Sequence, residues 1–319
     1  MLKALMQVIA PFRPLLGVLS FLYICLVTLG LASLLHLAAL YYFLWRPQDE
    51  QRSQSIYHQL YETWFTAINF WLRKVLGVNW ALDKEQKKQA DTWQFVIANH
   101  QSWVDIFVVF AQIQGRMPLP KVFMKHNLIW IPLVGTATYL MGFPFMRRYS
   151  KDFLAKHPHL KGKDIETTRR SCRRFMQAPN TVLSFVEGTR WSQMKHDQQD
   201  SPYQYLLKPK TGGVAFVLQA MPDKFQAIVD MSVIYPQENI SFWDLLCGRL
   251  KSAKVVVRNI PFPDKVLSST DFQPAGIHRL EFNDCFNQFW AEKDKRIGHY
   301  KAALEQEANM PKQGAIKSS

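Results

Sequence analysis

Trp93-Gln94-Phe95-Val96-Ile97-Ala98-Asn99-His100-Gln101-Ser102-Trp103-Val104-Asp105 runs from a short β-rich stretch, through a polar turn, into a second apolar run. A histidine just past a strand end, opening a helix, sits where α/β domains place ligands, at the carboxyl edge of the sheet. His100 is therefore the first candidate base. Five residues on a regular helix turn through about 500°, so His100 and Asp105 meet only if His100 lies in the turn before the helix. Ser102-x-x-Asp105 has the form of a capping box, in which Asp105 would serve helix-start amides instead. Both readings of Asp105 stand at this level.

Outward from this stretch, Thr181–Val186, Ala227–Tyr235 and Lys254–Arg258 are further β-rich runs, separated by long helical stretches. That alternation predicts an α/β fold. Phe286, Phe289, Trp290 and Ile297 predict an amphipathic helix over Phe282–Tyr300, and Lys312–Ser319 reads as a frayed tail.

Toward the N-terminus, Leu15–Trp45 runs for 31 residues without Asp, Glu, Lys or Arg. It exceeds a signal-peptide h-region and predicts membrane attachment. Arg13 and Arg46 bracket the run and Gly30 lies at its middle. A hairpin turning at Gly30, with both ends on the cytosolic side, satisfies both basic flanks, and a single tilted span is the other topology the run allows. Tyr57, Leu60, Tyr61, Trp64, Ile68, Trp71, Leu72 and Val75 predict an amphipathic helix within Ile56–Trp80, packed on the domain or lying in the interface. The polar stretch 81–91 reads as a linker. The expected division is a membrane anchor over 1–50, helix and linker over 51–90, one domain over 91–305, and a polar tail over 306–319.

The chain has 319 residues, 48% of them hydrophobic and 20% charged, which excludes a disordered chain. Thirty-nine Lys and Arg against 25 Asp and Glu leave +14 and favour an anionic partner. Met146–Phe175 alone holds ten Lys or Arg against three Asp or Glu, a solvated face or a patch for anionic headgroups. The four cysteines, Cys25, Cys172, Cys247 and Cys285, have no metal-ligand or disulfide spacing.

Two further stretches carry chemistry. Phe185-Val186-Glu187-Gly188-Thr189-Arg190 follows an apolar strand; Gly188 permits a tight turn and Arg190 can grip a phosphate bidentately. Gly142-Phe143-Pro144-Phe145-Met146-Arg147-Arg148 delivers two guanidiniums. Lys208–Gly213 lacks the phosphate-loop order, and no G-x-S-x-G elbow is present, so an acyl-enzyme has little support.

In this order, Asn99-His100-x-x-x-x-Asp105, Gly142–Arg148, Phe185–Arg190 and Ile228–Pro236 resemble the four blocks of the glycerolipid acyltransferases, the lysophosphatidate acyltransferase family. Lys125-x-x-Leu128-x-x-x-Pro132-x-x-Gly135 fits the same family. Lys195, Leu206–Gly213 and Asp230 look like its acylglycerophosphate and lysocardiolipin branch, while Pro144–Ser150 and Gly162–Cys172 are similar to a bacterial member. Val186 stands where many members carry proline, which leaves the acceptor open. The resemblance covers roughly residues 90–300 and implies a mixed sheet flanked by helices beside an N-terminal membrane segment.

It also implies transfer of a fatty acyl group from acyl-CoA or acyl-carrier protein to the sn-2 hydroxyl of lysophosphatidic acid. His100 would be the general base, and Asp105 would fix its tautomer. Glu187, Gly188, Thr189 and Arg190 would bind the glycerol phosphate, with Arg148 and Lys125 as further substrate ligands. No metal or redox cofactor, and no nucleic acid, is expected. The expected partners are membrane phospholipid, the lysophospholipid and the thioester donor, at a bacterial inner membrane with the site facing the cytosol. The alternatives are the same chemistry on another lysophospholipid, or a non-enzymic membrane protein that binds anionic lipid.

Overall fold

The computed structural model describes residues 10–89, 92–146, 178–221, 224–225, 227–261 and 277–309. The sheet is six-stranded and mixed. Its strands are β1 (Asn79–Ala81), β2 (Gln94–Ala98), β3 (Pro120–Val122), β6 (Thr181–Phe185), β7 (Ala227–Ile234) and β8 (Ser252–Pro261), in the order β1-β8-β7-β2-β6-β3. All neighbours run parallel except β7 and β8. A two-stranded parallel pair, β4 (Met124–Lys125) and β5 (Phe145–Met146), stands beside it.

Helices cover both faces. The flanking helices are α1 (Arg13–Trp45), α2 (Glu50–Phe70), α3 (Val104–Ile113), α4 (Val134–Leu140), α5 (Gln193–Gln198), α6 (Thr211–Ala220), α7 (Phe242–Leu246) and α8 (Ile277–Asn309). Every residue of β2 is buried, as a parallel strand covered on both faces requires. The pleat sends Val96 and Ala98 to one side, against Val104 and Val108 of α3 and Phe65, Ile68 and Leu72. Phe95 and Ile97 go to the other, against Val214 and Val217 of α6 and Phe286, Trp290 and Ile297 of α8. The helix after β2 therefore packs on one face and α6, which follows β6, on the other. Beyond the ends of β2, β6 and β7 a crevice lined by Gln101, Ser102, Trp191 and Tyr235 opens, the usual ligand position in such sheets.

The sequence reading needs correction at the N-terminus. α1 is one unbroken helix of 33 residues that passes straight through Gly30, not a hairpin. A glycine inside a helix costs only about 1 kcal/mol, too little to force a turn when both halves pack on the same neighbours. Nor is 81–91 a linker: β1 already pairs with β8, and Asp83 accepts from the Val257 amide at 2.9 Å. The domain thus begins at β1, not at 91. α2 starts earlier than expected and ends in a π-helical turn over Trp71–Val75. α8 extends beyond Phe282–Tyr300 at both ends, through the start of the expected tail, while Lys312–Ser319 lies outside the described residues.

α1 is polarised inside out. Gly17, Ser20, Ala32, Leu35 and Tyr42 are buried, while Leu19, Leu22, Leu26, Leu37 and Phe43 face outward. Its inner face is bonded along its length: Trp71 Nε1 donates to Ser20 Oγ at 3.0 Å, Trp64 Nε1 to Thr28 Oγ1 at 3.0 Å, and His36 Nε2 lies 2.7 Å from Thr136 Oγ1. Small and polar residues toward the protein with leucines outward is the pattern of a helix that packs on protein on one side and can face lipid on the other.

Candidate active site

Three parallel strands end together at one edge. β2 runs into Asn99-His100, β6 into Val186-Glu187-Gly188 and β7 into Tyr235. Asn99 closes the first gap. Its buried amide donates to Val233 O at 2.9 Å and accepts from Val233 N at 2.8 Å, continuing the ladder with a side chain.

His100 lies in the turn before α3, and its ring stacks on Phe185 with centroids 4.2 Å apart. Its Nδ1 lies 2.9 Å from Asp105 Oδ2. The carboxylate can only accept, so Nδ1 carries the proton and Nε2 presents its lone pair to the crevice. Both readings of Asp105 hold at once, because Oδ2 also accepts from the Gln101 amide at 2.6 Å and the Ser102 amide at 2.9 Å. Its other oxygen accepts from Tyr235 Oη at 2.5 Å. Burial, and then the Asp105 charge, push the Tyr235 phenol well above its ordinary value, so it remains a donor.

Glu187 is fully buried. Its Oε1 accepts from His100 N at 2.9 Å and its Oε2 from Leu207 N at 3.2 Å. Burial pushes its carboxyl up to about 8, against those two amides and the Lys293 charge, which lower it. In this arrangement Glu187 braces the turn that carries His100 and meets no open surface. The expected direct role in substrate binding is replaced by one exerted through the His100 backbone. Gly188, at φ +65°, makes the turn possible, and a Cβ there would lie 2.8 Å from Lys210 Cδ.

Beyond it, Arg190 is exposed, its guanidinium 4.9 Å from the centre of the Trp103 ring. Lys195 Nζ donates to Thr189 Oγ1 at 2.8 Å and to Arg190 O at 2.9 Å. Arg190, Lys195 and Lys210 thus give the crevice a cationic rim suited to a phosphate. Lys125, in β4, follows β3 at the same sheet edge. Arg148, and the basic run with it, lies outside the described residues.

Residues 81–236 match the model of the Acyltransferase family. They are an Acyltransferase domain. This domain and its flanks are 24% identical over 212 residues to the 1-acyl-sn-glycerol-3-phosphate acyltransferase gamma of Mus musculus, covering 62% of this chain and 53% of that protein. They are 23% identical over 219 residues to an acyltransferase of Schizosaccharomyces pombe, covering 63% and 58%. The chain spans about half the length of the curated relatives it matches. Among solved structures, the 1-acyl-sn-glycerophosphate acyltransferase PlsC of Thermotoga maritima is similar at a TM-score of 0.49 and 14% identity, covering 94% of this chain and 100% of that one.

The site of the Acyltransferase domain leans on residues to which the motifs assign no role. Tyr235 falls in the fourth block, Ile228–Pro236, to which the resemblance attaches no role for it. Asp230 on β7 is bound by Lys293 Nζ at 2.5 Å and Arg296 Nη2 at 2.6 Å, both from α8 beyond the matched region. Lys293 is fully buried. Its signal was visible: it falls on the Phe286, Trp290, Ile297 stripe, where a lone lysine needs an internal partner. Among the described residues no cluster of His, Cys, Asp and Glu could hold a metal ion.

Tyr235→Phe should leave the fold intact and lower kcat about tenfold with little change in KM, since a lost hydrogen bond to a buried charge costs about 1–3 kcal/mol. Steady-state kinetics on the purified variant checks this, and an unchanged kcat would remove Tyr235 from the catalytic chain.

Proposed function

We propose that this protein is a membrane-bound O-acyltransferase. It moves a fatty acyl group from an acyl thioester, acyl-CoA or acyl-carrier protein, to the sn-2 hydroxyl of lysophosphatidic acid, giving phosphatidic acid. The observation that carries the reading is the His100–Asp105 pair, hydrogen-bonded at 2.9 Å at the sheet edge of an Acyltransferase domain. His100 Nε2 takes the hydroxyl proton as the oxygen attacks the thioester carbon. The carbon–sulfur bond then breaks, and the imidazolium returns the proton to the leaving thiolate. The acceptor's hydroxyl fills the place that a serine holds in a Ser-His-Asp triad. Arg190 and Lys195 meet the phosphate.

Two further features support a lipid substrate. A cavity of about 220 Å³ lies between α1, α2, α3 and α4, lined by Leu35, Tyr61, Ile106, Ala137 and Phe143 among others. Ile106, the residue after Asp105, is part of its wall, and the apolar lining suits an acyl chain. Filling it by Ala137→Leu should shift preference toward shorter acyl donors, read as the ratio of kcat/KM for decanoyl- and oleoyl-CoA. An unmoved ratio would place the chain elsewhere.

The second feature is the disposition of α1. Its bonds to the domain run from Ser20 to His36. That is about 24 Å at 1.5 Å per residue, most of a hydrocarbon core about 30 Å thick. A helix crossing along the bilayer normal would drag the domain into lipid. α1 therefore lies obliquely, its leucine face in the cytosolic leaflet and the site at the interface, where a bilayer-resident acceptor meets a water-soluble donor.

The deciding experiment is thiol release from oleoyl-CoA by the detergent-purified protein, with and without lysophosphatidate. Acceptor-dependent release supports the reading. Release without acceptor would make it a thioesterase. Silence across CoA and carrier-protein donors and a panel of lysophospholipids would overturn the enzyme reading.

A further inference from the structure

The turn between the 3₁₀ helix His126–Trp130 and α4 carries its apolar side chains on the outside. Trp130 is 80% exposed, Ile131 43% and Leu133 37%, with Pro132 exposed between them. Exposed leucines scattered singly need no account; four consecutive exposed apolar residues led by a tryptophan do.

This turn is held rigidly in that pose. Leu133 sits at φ 61°, ψ −50°, with Val134 N donating to Pro132 O at 2.7 Å. That is a γ-turn of the positive-φ kind, rare and strained for a leucine. Gly135 N donates to Ile131 O at 2.9 Å, and a Cβ on Gly135 would lie 2.3 Å from Leu128 O. The backbone is thus closed on itself so tightly that only glycine fits, while Leu128 and Ile129 pack inward on the core. These hydrogen bonds and the inward packing of Leu128 and Ile129 hold Ile131 and Leu133 in the open.

Two placements say what the turn meets. α4 is tied to α1 through His36 and Thr136, and Ala137 packs with Ala32 and Leu35. The turn therefore forms one rigid piece with the outward leucines of α1. It also follows β3, which ends at the same sheet edge as His100. Tryptophan beside branched apolar residues at one end of an apolar surface is the composition of a membrane–water interface anchor.

We infer that Trp130, Ile131 and Leu133 enter the lipid bilayer beside α1 as a second anchor, turning the sheet edge that carries His100 toward the membrane. The inference rests on the membrane-bound reading above. One anchor fixes attachment alone. Two fix the angle, and with it the distance of the crevice from the headgroups.

The test places a dansyl-bearing amino acid, by stop-codon suppression in the full chain, at Leu26, Trp130 or Lys88. Leu26 is on the outer face of α1, and Lys88 lies near Pro118 and Asn180, which precede β3 and β6 at the opposite edge of the sheet. Each form is bound to phosphatidylethanolamine–phosphatidylglycerol vesicles whose acyl chains carry a nitroxide. The expected result is quenching of about twofold or more at positions 26 and 130 and none at 88, as burial among acyl chains requires. Quenching at 26 with position 130 as bright as 88 would overturn this inference and leave the membrane reading intact. No quenching at either would overturn both, and equal quenching at all three would deny the proposed orientation. Should the label at 130 impair folding, Trp130→Glu serves instead. It should raise KM for vesicle-borne lysophosphatidate about tenfold while leaving turnover in detergent mixed micelles unchanged, because a carboxylate is costly to place among acyl chains. Equal KM values for the two proteins on vesicles would again overturn the inference.

Discussion

His100→Ala should lower kcat/KM for acyl transfer by about 10²- to 10⁴-fold, the contribution of a positioned general base. The fold should survive, because His100 is held by its backbone. Its N–H donates to Glu187 and its C=O accepts from Trp191 N at 2.7 Å. The imidazole itself supplies only the stack on Phe185 and the bond to Asp105. Asp105→Asn tests the second half of the pair. An amide there can donate to Nδ1 and favour the wrong tautomer, as in a Ser-His-Asp triad. It also withdraws the acceptor that serves Gln101 N and Ser102 N. Asp105→Asn should therefore lose both activity and some stability, whereas His100→Ala loses activity alone. Thermal unfolding beside the kinetics separates them, and a His100→Ala protein that retains full acceptor-dependent turnover would refute the assignment of the base.

Lys293→Met should destabilise the fold by about 3 kcal/mol, the lower end of the cost of breaking a buried ion pair by removing one partner. The lower end applies because Arg296 still holds Asp230. The variant keeps the shape of the stem and its packing beside Trp290, so the loss is electrostatic. It also removes the positive charge that favours ionised Glu187. Protonated Glu187 has one good acceptor oxygen instead of two and must release either His100 N or Leu207 N. The acid limb of the rate profile should accordingly move to higher pH in Lys293→Met and return in Lys293→Arg. Charges facing Glu187 are Lys293 from α8 and Asp105 from the start of α3, and Asp105 acts in the opposite sense. Stability follows the same proton. Glu187 in the fold is raised from 4.5 to about 8, so the folded chain holds a proton that the unfolded chain releases between those values. This group's contribution is greatest below about 4.5 and declines as pH rises through about 8. Glu187→Gln should flatten that decline in urea melts at about pH 5 and about pH 8, and parallel curves for the two proteins would show that the carboxyl stays ionised throughout.

The sequence was most informative where chemistry and local structure coincide. β2, β6 and β7 were legible because a buried parallel strand is continuously apolar, and the turns after the first two carry unusual polar residues. What could not be read locally was set by distant partners. β1 is three residues long and becomes a strand only because β8 lies beside it. Asn99 opens the first block with no role legible in the sequence, because its task is to reach Val233. Glu187 is the instructive case. An acid beside Gly188 and Arg190 invites a substrate contact, and only the approach of Leu207 and α8 encloses it. The hairpin failed for the same reason, since composition reports that α1 is apolar but not that one side of it is bonded to Trp64, Trp71 and Thr136.

Those bonds bear on how the protein could be handled. A shortened chain beginning after Trp45 would not become a water-soluble catalyst. It would lose one wall of the cavity lined by Thr28, Leu31, Ala32 and Leu35, and would leave the indole donors of Trp64 and Trp71 without acceptors. The apolar helix and the domain share one interior, so cutting away the helix would also open the cavity between them.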